Sequence, residues 1–302
     1  MHQLPFARPG TFRRGNLHTH STLSDGKLSP AEVCAVYRNA GYDFLALTDH
    51  FMETYDFPVA DTREFRSESF TTLMGAELHT GSTELGHLWH ILAVGLPFDF
   101  AHYMPTETGP DVARRALAAG AFVAAAHPAW YGLTEADVRS LGDIHAIEIY
   151  NATSCDHNDK PDSIYMLDLM SMRGLHYTAC ATDDAHFKDE RFDALRGWVQ
   201  VKSTYNEPEA ILDALKSGSY YSSTGPTIHD IKVEPDGDTL TVHCSPAERV
   251  FLTGYGAKSL HKNGHGIHIA QFSIKAFRGS PFLRVTVRDI HGGRAWSNPI
   301  WM

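Results

Sequence analysis

The sequence predicts an α/β fold built on a parallel sheet or barrel, followed by a small antiparallel β domain of sandwich type. Three observations carry this reading. Between Asn16 and Gly218, short apolar runs alternate with capped helical segments, the rhythm of βαβ units. After "GSYYSSTGPT" that rhythm stops. From Ile228 to Met302 there are only short alternating runs separated by Gly, Asp, Asn and Pro. Finally, residues able to bind metals recur at the C-terminal ends of the apolar runs, where α/β barrels build their sites. The expected division is residues 1–226 and residues 227–302.

Taken in order, Asn16 to His20 reads as a strand. "SPAEVCAVYRNAG" is a helix with Ser29 as N-cap, Pro30 in first position, Glu32 completing a capping box and Gly41 as its stop. "DFLALTDH" is a buried strand, and "FTTLMGAELHT" and "LWHILAVGL" are two more. A Pro110-to-Gly120 helix leads into the strand "AFVAAAHP". "TEADVRSL" is a helix, "HAIEIYN" a strand, and Ala152 to Lys160 a short loop with no room for an inserted lid domain. "PDSIYMLDLMSMRG" is a helix, "LHYTACATDDAH" and "RGWVQV" are strands, and "NEPEAILDALKSG" is a helix capped by Asn206. In the C-terminal part, "HDIKVEP", "DTLTVHC", "RVFLTGYG", "IHIAQFSI" and "PFLRVTVRD" are strands. His261, His265 and His268 fall in "LHKNGHGIHI", read as a solvated loop because no carboxylate accompanies them.

Composition bounds the function. At 302 residues and 43% hydrophobic content the chain can bury a sizeable core. Its formal charge of −10 argues against an extended nucleic-acid surface or an anionic membrane, while leaving room for a local basic pocket. The start, "MHQLPFARPGTFRRG", has no apolar core of a secretory signal, and no run is long enough to span a bilayer. The four cysteines (Cys34, Cys155, Cys180, Cys244) show neither disulfide nor zinc-site spacing. A cytoplasmic protein is expected.

The 19 histidines are the unusual feature, and their positions matter. In an extended strand residues i and i+2 point the same way, so His18 and His20 in "NLHTHSTLSDG" converge, with Asp25 arriving from the loop beyond. Asp49 and His50 end "LALTDH", Glu77 ends "LMGAE", His127 follows "AFVAAA", and Asp184 and His186 end "YTACATD". His90 instead opens "HILAVGL". Structural histidines would have no reason to recur at one relative place in strand after strand. The pattern therefore reads as one metal centre assembled from several strands.

In this order, the H-x-H with a following S-D-G, the T-D-H, the G-A-E, the H-P and the final D-x-H resemble the polymerase and histidinol phosphatase (PHP) family over about residues 15–226. The resemblance implies a distorted (β/α)7 TIM-like barrel with a two- or three-metal centre on its C-terminal face. It implies His18, His20, Asp25, His50, Glu77, His90, His127, Asp184 and His186 as ligands, with Glu77 as the bridging carboxylate. His87 competes with His90, and His90 is preferred because it abuts the apolar strand in the family's H-I-x-x-x-G-L form. His79 reads as a polar strand-end residue, Asp183 as a neighbour of the D-x-H. Asp49 is expected to orient a histidine ring or adjacent backbone.

Nine ligands suit two to three divalent ions with positions left open. Imidazole and carboxylate without thiolate favour manganese, iron or zinc. The implied mechanism is in-line attack on phosphorus by a hydroxide bridging the ions, with Glu77, Asp184 and His186 as the catalytic residues. The substrate is expected to be a small phosphoester, a phosphomonoester or nucleotide-like molecule, met by Lys188, Arg191, Trp130 and Asn151, with Lys27 and Lys160 on other loops at that end. The alternative is a carbamate or aryl carboxylic ester attacked by the same hydroxide. A cationic pocket favours the first and an aromatic pocket around Trp130 and Tyr131 the second.

Overall fold

The computed structural model describes residues 4–302. Its strands are β1 (Thr11–Asn16), β2 (Phe44–Leu47), β3 (His50–Phe51), β4 (Thr71–Leu78), β5 (Ile91–Val94), β6 (Phe122–Ala125), β7 (Ala146–Asn151), β8 (Thr178–Thr182), β9 (Trp198–Ser203) and β10 (Tyr220–Ser223). The C-terminal strands are β11 (Ile228–Val233), β12 (Thr239–Gly254), β13 (Ser259–Ser273), β14 (Phe282–Arg288), β15 (Arg294–Ser297) and β16 (Ile300–Trp301). The helices are α1 (Pro30–Asn39), α2 (Gly109–Ala118), α3 (Pro128–Tyr131), α4 (Glu135–Ser140), α5 (Ala152–Asn158), α6 (Ile164–Met172) and α7 (Pro208–Lys216). None of them is long and apolar enough to cross a membrane.

Local chemistry explains several helix starts. Ser29 caps α1 in a full capping box with Glu32, and Thr108 with Asp111 and Thr134 with Asp137 do the same for α2 and α4. Asn206 does not cap α7. Its amide donates to the Asp43 carbonyl at 3.0 Å, and Glu207 occupies the cap position without a side-chain bond. The segment read as a loop after "HAIEIYN" is α5, capped by Asn151 through the Ser154 amide. The histidine-rich stretch 261–268 is not a loop either. It lies within the long strand β13, paired along β12.

The sheet is mixed rather than parallel. β1, β2 and β4 run parallel, β5 is antiparallel to both neighbours, and β6, β7 and β8 are parallel again. No helix separates β4 from β5, so the chain returns directly and the pair is antiparallel. That reversal places His90, at the start of β5, beside the end of β4.

The ladder does not close, so the distorted (β/α)7 barrel that the resemblance implies is not found as a closed sheet. β9 inserts antiparallel to β1, and the path continues through β10, β15, β14 and β12 to β11. β1 and β8 meet only beyond their ends. There Thr19 bridges Ala185, the Asp184 amide donates to the His18 carbonyl at 2.8 Å, and the His20 amide to Ala185 at 2.9 Å. Lower down, side chains replace the missing ladder. Ser222 Oγ accepts from the Ala181 amide and donates to the Ala179 carbonyl, while Asn298 Oδ1 accepts from the Ala179 amide at 2.9 Å. These bonds satisfy backbone groups that a buried strand edge would otherwise leave unpaired.

The C-terminal strands are antiparallel, as expected, and share the sheet through the β10–β15 pair. β12 pairs with β11 along its first part and with β14 along its last, with β13 on its other side. Their apolar faces form a core of Val242, Val250, Leu252, Leu283 and Val285, among others. A separate cluster of Leu17, Phe44, Leu92, Phe122, Val199 and Tyr220 lies inside the first set of strands. Burying each such side chain contributes roughly 1.5–3 kcal/mol.

The β8 seam generates a prediction. Asn298 also donates to the carbonyls of Gly218 at 3.1 Å and Tyr220 at 2.9 Å. Asn298→Ala leaves these groups and the Ala179 amide unpaired, so urea unfolding of the variant is expected to show a loss of about 1–3 kcal/mol.

Candidate metal centre

Every residue in the cluster arrives at one edge of the sheet. His18 and His20 lie just past β1, held extended by the Thr19–Ala185 bridge, and Asp25 follows in the loop. His50 begins β3 and pairs in register with Glu77 of β4. His90 precedes β5, His127 follows β6, and Asp184 and His186 follow β8. His127 and Asp184 have positive φ, 25° and 55°, in a region that non-glycine residues seldom occupy. Such strain persists where the surroundings hold it and is concentrated at functional sites.

Glu77 is the centre of the arrangement and is fully buried. Its Oε1 lies 2.8 Å from His90 Nδ1, 3.0 Å from His127 Nε2 and 3.6 Å from His18 Nε2. Its Oε2 lies 2.7 Å from His50 Nδ1, 3.3 Å from His79 Nε2 and 3.8 Å from His20 Nε2. Asp184 Oδ1 stands 2.8 Å from His20 Nε2 and 3.3 Å from His18 Nε2. Asp25 Oδ1 stands 3.2 Å from His186 Nε2 and 3.3 Å from His50 Nε2.

These contacts are close but are not all hydrogen bonds. Glu77 Oε2, Asp25 Oδ1 and His18 Nε2 are buried and have no hydrogen-bond partner. Buried polar atoms left unpaired are costly, and lone pairs converging on a common point are what a cation satisfies. Potential ligand atoms within 4.8 Å of one another form overlapping groups. One is His20, Asp25, His50 and His186; another is His18, His127 and Asp184; and three more share Glu77. The donor set of imidazole and carboxylate therefore fits divalent metal ions.

Protonation follows the same crowding. Burial alone would raise Glu77, but the surrounding His90, His50 and His79 carry it well below the usual carboxylate range. Asp184 is lowered likewise, against burial, by His18 and His20. Burial would lower His18, yet Asp184, Glu148 and Glu77 take it well above its ordinary value. His50 rises to about 10 against burial because of Glu77 and Asp25. His79 falls to about 3 through burial and the neighbouring His90. Burial also lowers His20, helped by His50 and His186. In the protein alone, then, protons on some imidazoles balance the buried carboxylates.

All nine residues named as ligands lie in this cluster. His87 is exposed, whereas His90 faces Glu77. Two further residues, His79 and Glu148, belong to the cluster. His79, read as a polar strand-end residue, is 1% exposed and 2.7 Å from His50 Nδ1. Glu148 was not singled out from sequence at all. Its buried carboxylate bonds His18 Nδ1 at 2.9 Å and the His127 amide at 2.7 Å, and accepts from the Thr182 hydroxyl and the Asn151 amide. The one available signal was a charge in the middle of the apolar run "AIEIY".

Asp49 does not touch a histidine ring. It accepts from the Ser21 amide and from the hydroxyls of Ser21 and Ser24, so it fixes the loop between His20 and Asp25. Asp183 is buried and accepts from Tyr37, Asn16 and the amides of Leu195, Arg196 and Gly197, anchoring the chain that follows His186.

A cleft of about 180 Å³ opens over the cluster, lined also by Trp130, His157, Lys188 and Arg191. Lys188 Nζ sits 2.5 Å from Asp25 Oδ2, and Arg191 reaches His157 Nδ1 at 3.3 Å. Trp130 stacks on His157, with ring centres 5.1 Å apart. Asn151 is not part of this wall. It is 1% exposed, and its amide is committed to Glu148 and to Asp184. Lys160 is exposed and Lys27 pairs with Asp189, and neither lines the cleft.

No protein-family profile matches the sequence, and no curated protein matches it. Solved structures do. A two-domain protein from Bacteroides vulgatus, described as containing a predicted PHP-like metal-dependent phosphoesterase, aligns over 99% of this chain and 98% of its own, at 16% identity and a TM-score of 0.54. The fold is PHP-like. A Bifidobacterium adolescentis protein described provisionally as a metal-dependent phosphoesterase aligns over 67% of this chain and 96% of its own, with 14% identity and a TM-score of 0.46. An amidohydrolase from Chromobacterium violaceum, with bound sulfate and no metal, aligns over 59% and 89%, with 18% identity and a TM-score of 0.44.

Within this PHP-like fold, Glu148 touches the cluster through the far nitrogen of His18. Such partners orient a ligand ring, and their loss typically weakens metal affinity about 10–100-fold. Glu148→Gln is expected to do so in a zinc or manganese titration, with the circular dichroism spectrum unchanged.

Proposed function

We propose that this chain is a metal-dependent hydrolase acting on phosphoesters of small molecules, phosphomonoester or nucleotide-like. In this reading residues 1–226 are the catalytic, barrel-derived domain and residues 227–302 a C-terminal β domain. His18, His20, Asp25, His50, Glu77, His90, His127, Asp184 and His186 would hold two to three divalent ions of manganese, iron or zinc. The observation that carries the proposal is Glu77, a buried carboxylate approached on each oxygen by a different set of imidazoles.

Divalent ions bound there would supply Lewis-acid polarisation of the electrophile and acidify a coordinated water. The chain's own groups do the rest. Glu77 and Asp184 stay ionised because the surrounding histidines outweigh their burial. His20, His79 and His90 are held toward the neutral form, with lone pairs free to ligate. Glu148 fixes the ring of His18 through Nδ1, turning Nε2 toward Glu77 and Asp184. At the mouth, Lys188 and Arg191 supply positive charge for an anionic group, and Trp130 against His157 offers a flat wall for the leaving group.

Two cations beside the cluster favour phosphate over a neutral ester. Tyr131, which would have helped to form an aromatic ester pocket, instead directs its hydroxyl to the His90 backbone.

Three comparisons test this reading. Purified protein should carry two to three ions per chain and hydrolyse a chromogenic phosphate. His18→Ala and Asp184→Ala should lose both metal and at least about 100-fold in turnover. Hydrolysis of a chromogenic carboxylic ester alone would replace phosphate by the carbamate or aryl-ester alternative, and absence of stoichiometric metal would end the proposal. Lys188→Met is expected to raise KM for the phosphate about tenfold or more while leaving ester turnover unaffected. Finally, ligands must shed protons to bind metal, and His18 and His50 have raised pKa values. Metal addition in weak buffer near neutrality should therefore release protons, and affinity should fall as pH falls.

A further inference from the structure

A second cavity lies at the other end of the strands that carry the cluster. It measures about 290 Å³ and is formed by the segment before β1, the starts of β7 and β8, the end of α7 and the residues of β15 and β16. Its size is at the lower end of the range for small-molecule sites. The chain as a whole carries a formal charge of −10, yet among the described residues no acidic side chain lines this cavity.

Two cations line it instead. Arg8 donates to the hydroxyls of Ser217, at 3.1 Å, and Ser219, and among the described residues it forms no ion pair. Lys216 donates to the Gly120 carbonyl at 3.2 Å. Its ion-pair partner Asp213 is 3.8 Å away and 80% exposed, so solvent screens the pair. Both positive charges therefore remain largely uncompensated by protein carboxylates.

His145 adds a neutral donor. Its Nδ1 accepts from the Val123 amide at 3.1 Å, which leaves the proton on Nε2. Its ring stacks on Phe122, with centres 5.4 Å apart. The remaining wall is apolar, with Ile144, Pro299 and Trp301, whose ring lies flat on His176 at 3.7 Å.

We propose that this cavity binds a small organic anion, a phosphate or carboxylate on a body about the size of one ring. Arg8 and Lys216 would meet the charge, His145 would donate a hydrogen bond, and Ile144, Pro299 and Trp301 would cover the apolar body. The site is separate from the metal cluster: the residues leading into β7 and β8 line the cavity, and the residues that follow these strands line the cleft over the cluster.

The test is calorimetric titration of the full chain with phenyl phosphate and, separately, benzoate. The proteins are wild type, Asp184→Asn, and Asp184→Asn with Arg8→Met or Lys216→Met added. In Asp184→Asn, where the cluster is disabled, the expected result is a saturable site that weakens about tenfold or more when Arg8→Met or Lys216→Met is added. Tighter phenyl phosphate would identify phosphate as the preferred group, and tighter benzoate carboxylate. Arg8 also pins the segment before β1, so Lys216→Met carries the test if Arg8→Met proves unstable. No saturable uptake up to millimolar ligand, uptake lost in Asp184→Asn, or affinity unchanged when Lys216→Met is added to it would each overturn the proposal.

Discussion

The arrangement depends on one constraint: Glu77 is a charged carboxylate with no access to water. A buried charge is tolerated only when paired and hydrogen-bonded. Around Glu77 the compensation comes from imidazoles on other strands and loops, and those imidazoles are crowded against one another as well. The site is therefore under electrostatic tension as protein alone, with Glu77 Oε2 left without a hydrogen bond. A divalent cation is the simplest charge able to satisfy it.

Much of the surrounding fold serves to bring these groups to one edge. The antiparallel turn of β5 puts His90 beside Glu77, where a regular parallel succession would have put the start of the strand at the far end. The open seam between β1 and β8 is held beyond the strands by the Thr19–Ala185 bridge, which sets His18 and His20 against Asp184 and His186. Asp49 and Asp183 spend their burial on loops rather than on the cluster, one anchoring the turn to Asp25 and the other the chain after His186. Strain at His127 and Asp184 sits at the positions where the backbone must turn a ligand inward.

The sequence was most informative where chemistry and periodicity coincide. Ligand-type residues placed after apolar runs identified the cluster, and Ser29-Pro30-x-Glu32 identified the start of α1. It was least informative where a residue's role depends on what comes close from far along the chain. Glu148 looked like a strand residue because its partners His18 and Thr182 are distant in sequence. His79 matters only because β3 pairs with β4 and brings His50 to it. Asn151, expected to meet the substrate, instead turns its side chain inward because it caps α5. The reversed strand and the unclosed ladder were illegible for a similar reason: pairing direction and closure are set by tertiary contacts, not by local pattern.

The central claim is that these side chains converge on metal ions. The most direct measurement is anomalous diffraction at the manganese, iron and zinc absorption edges from crystals of protein never exposed to chelator. The account predicts peaks inside the ring formed by Glu77, Asp184, Asp25 and the facing histidines, with Glu77 touching two of them. Well-ordered side chains in that ring with no anomalous peak, or metal bound only elsewhere on the chain, would contradict it.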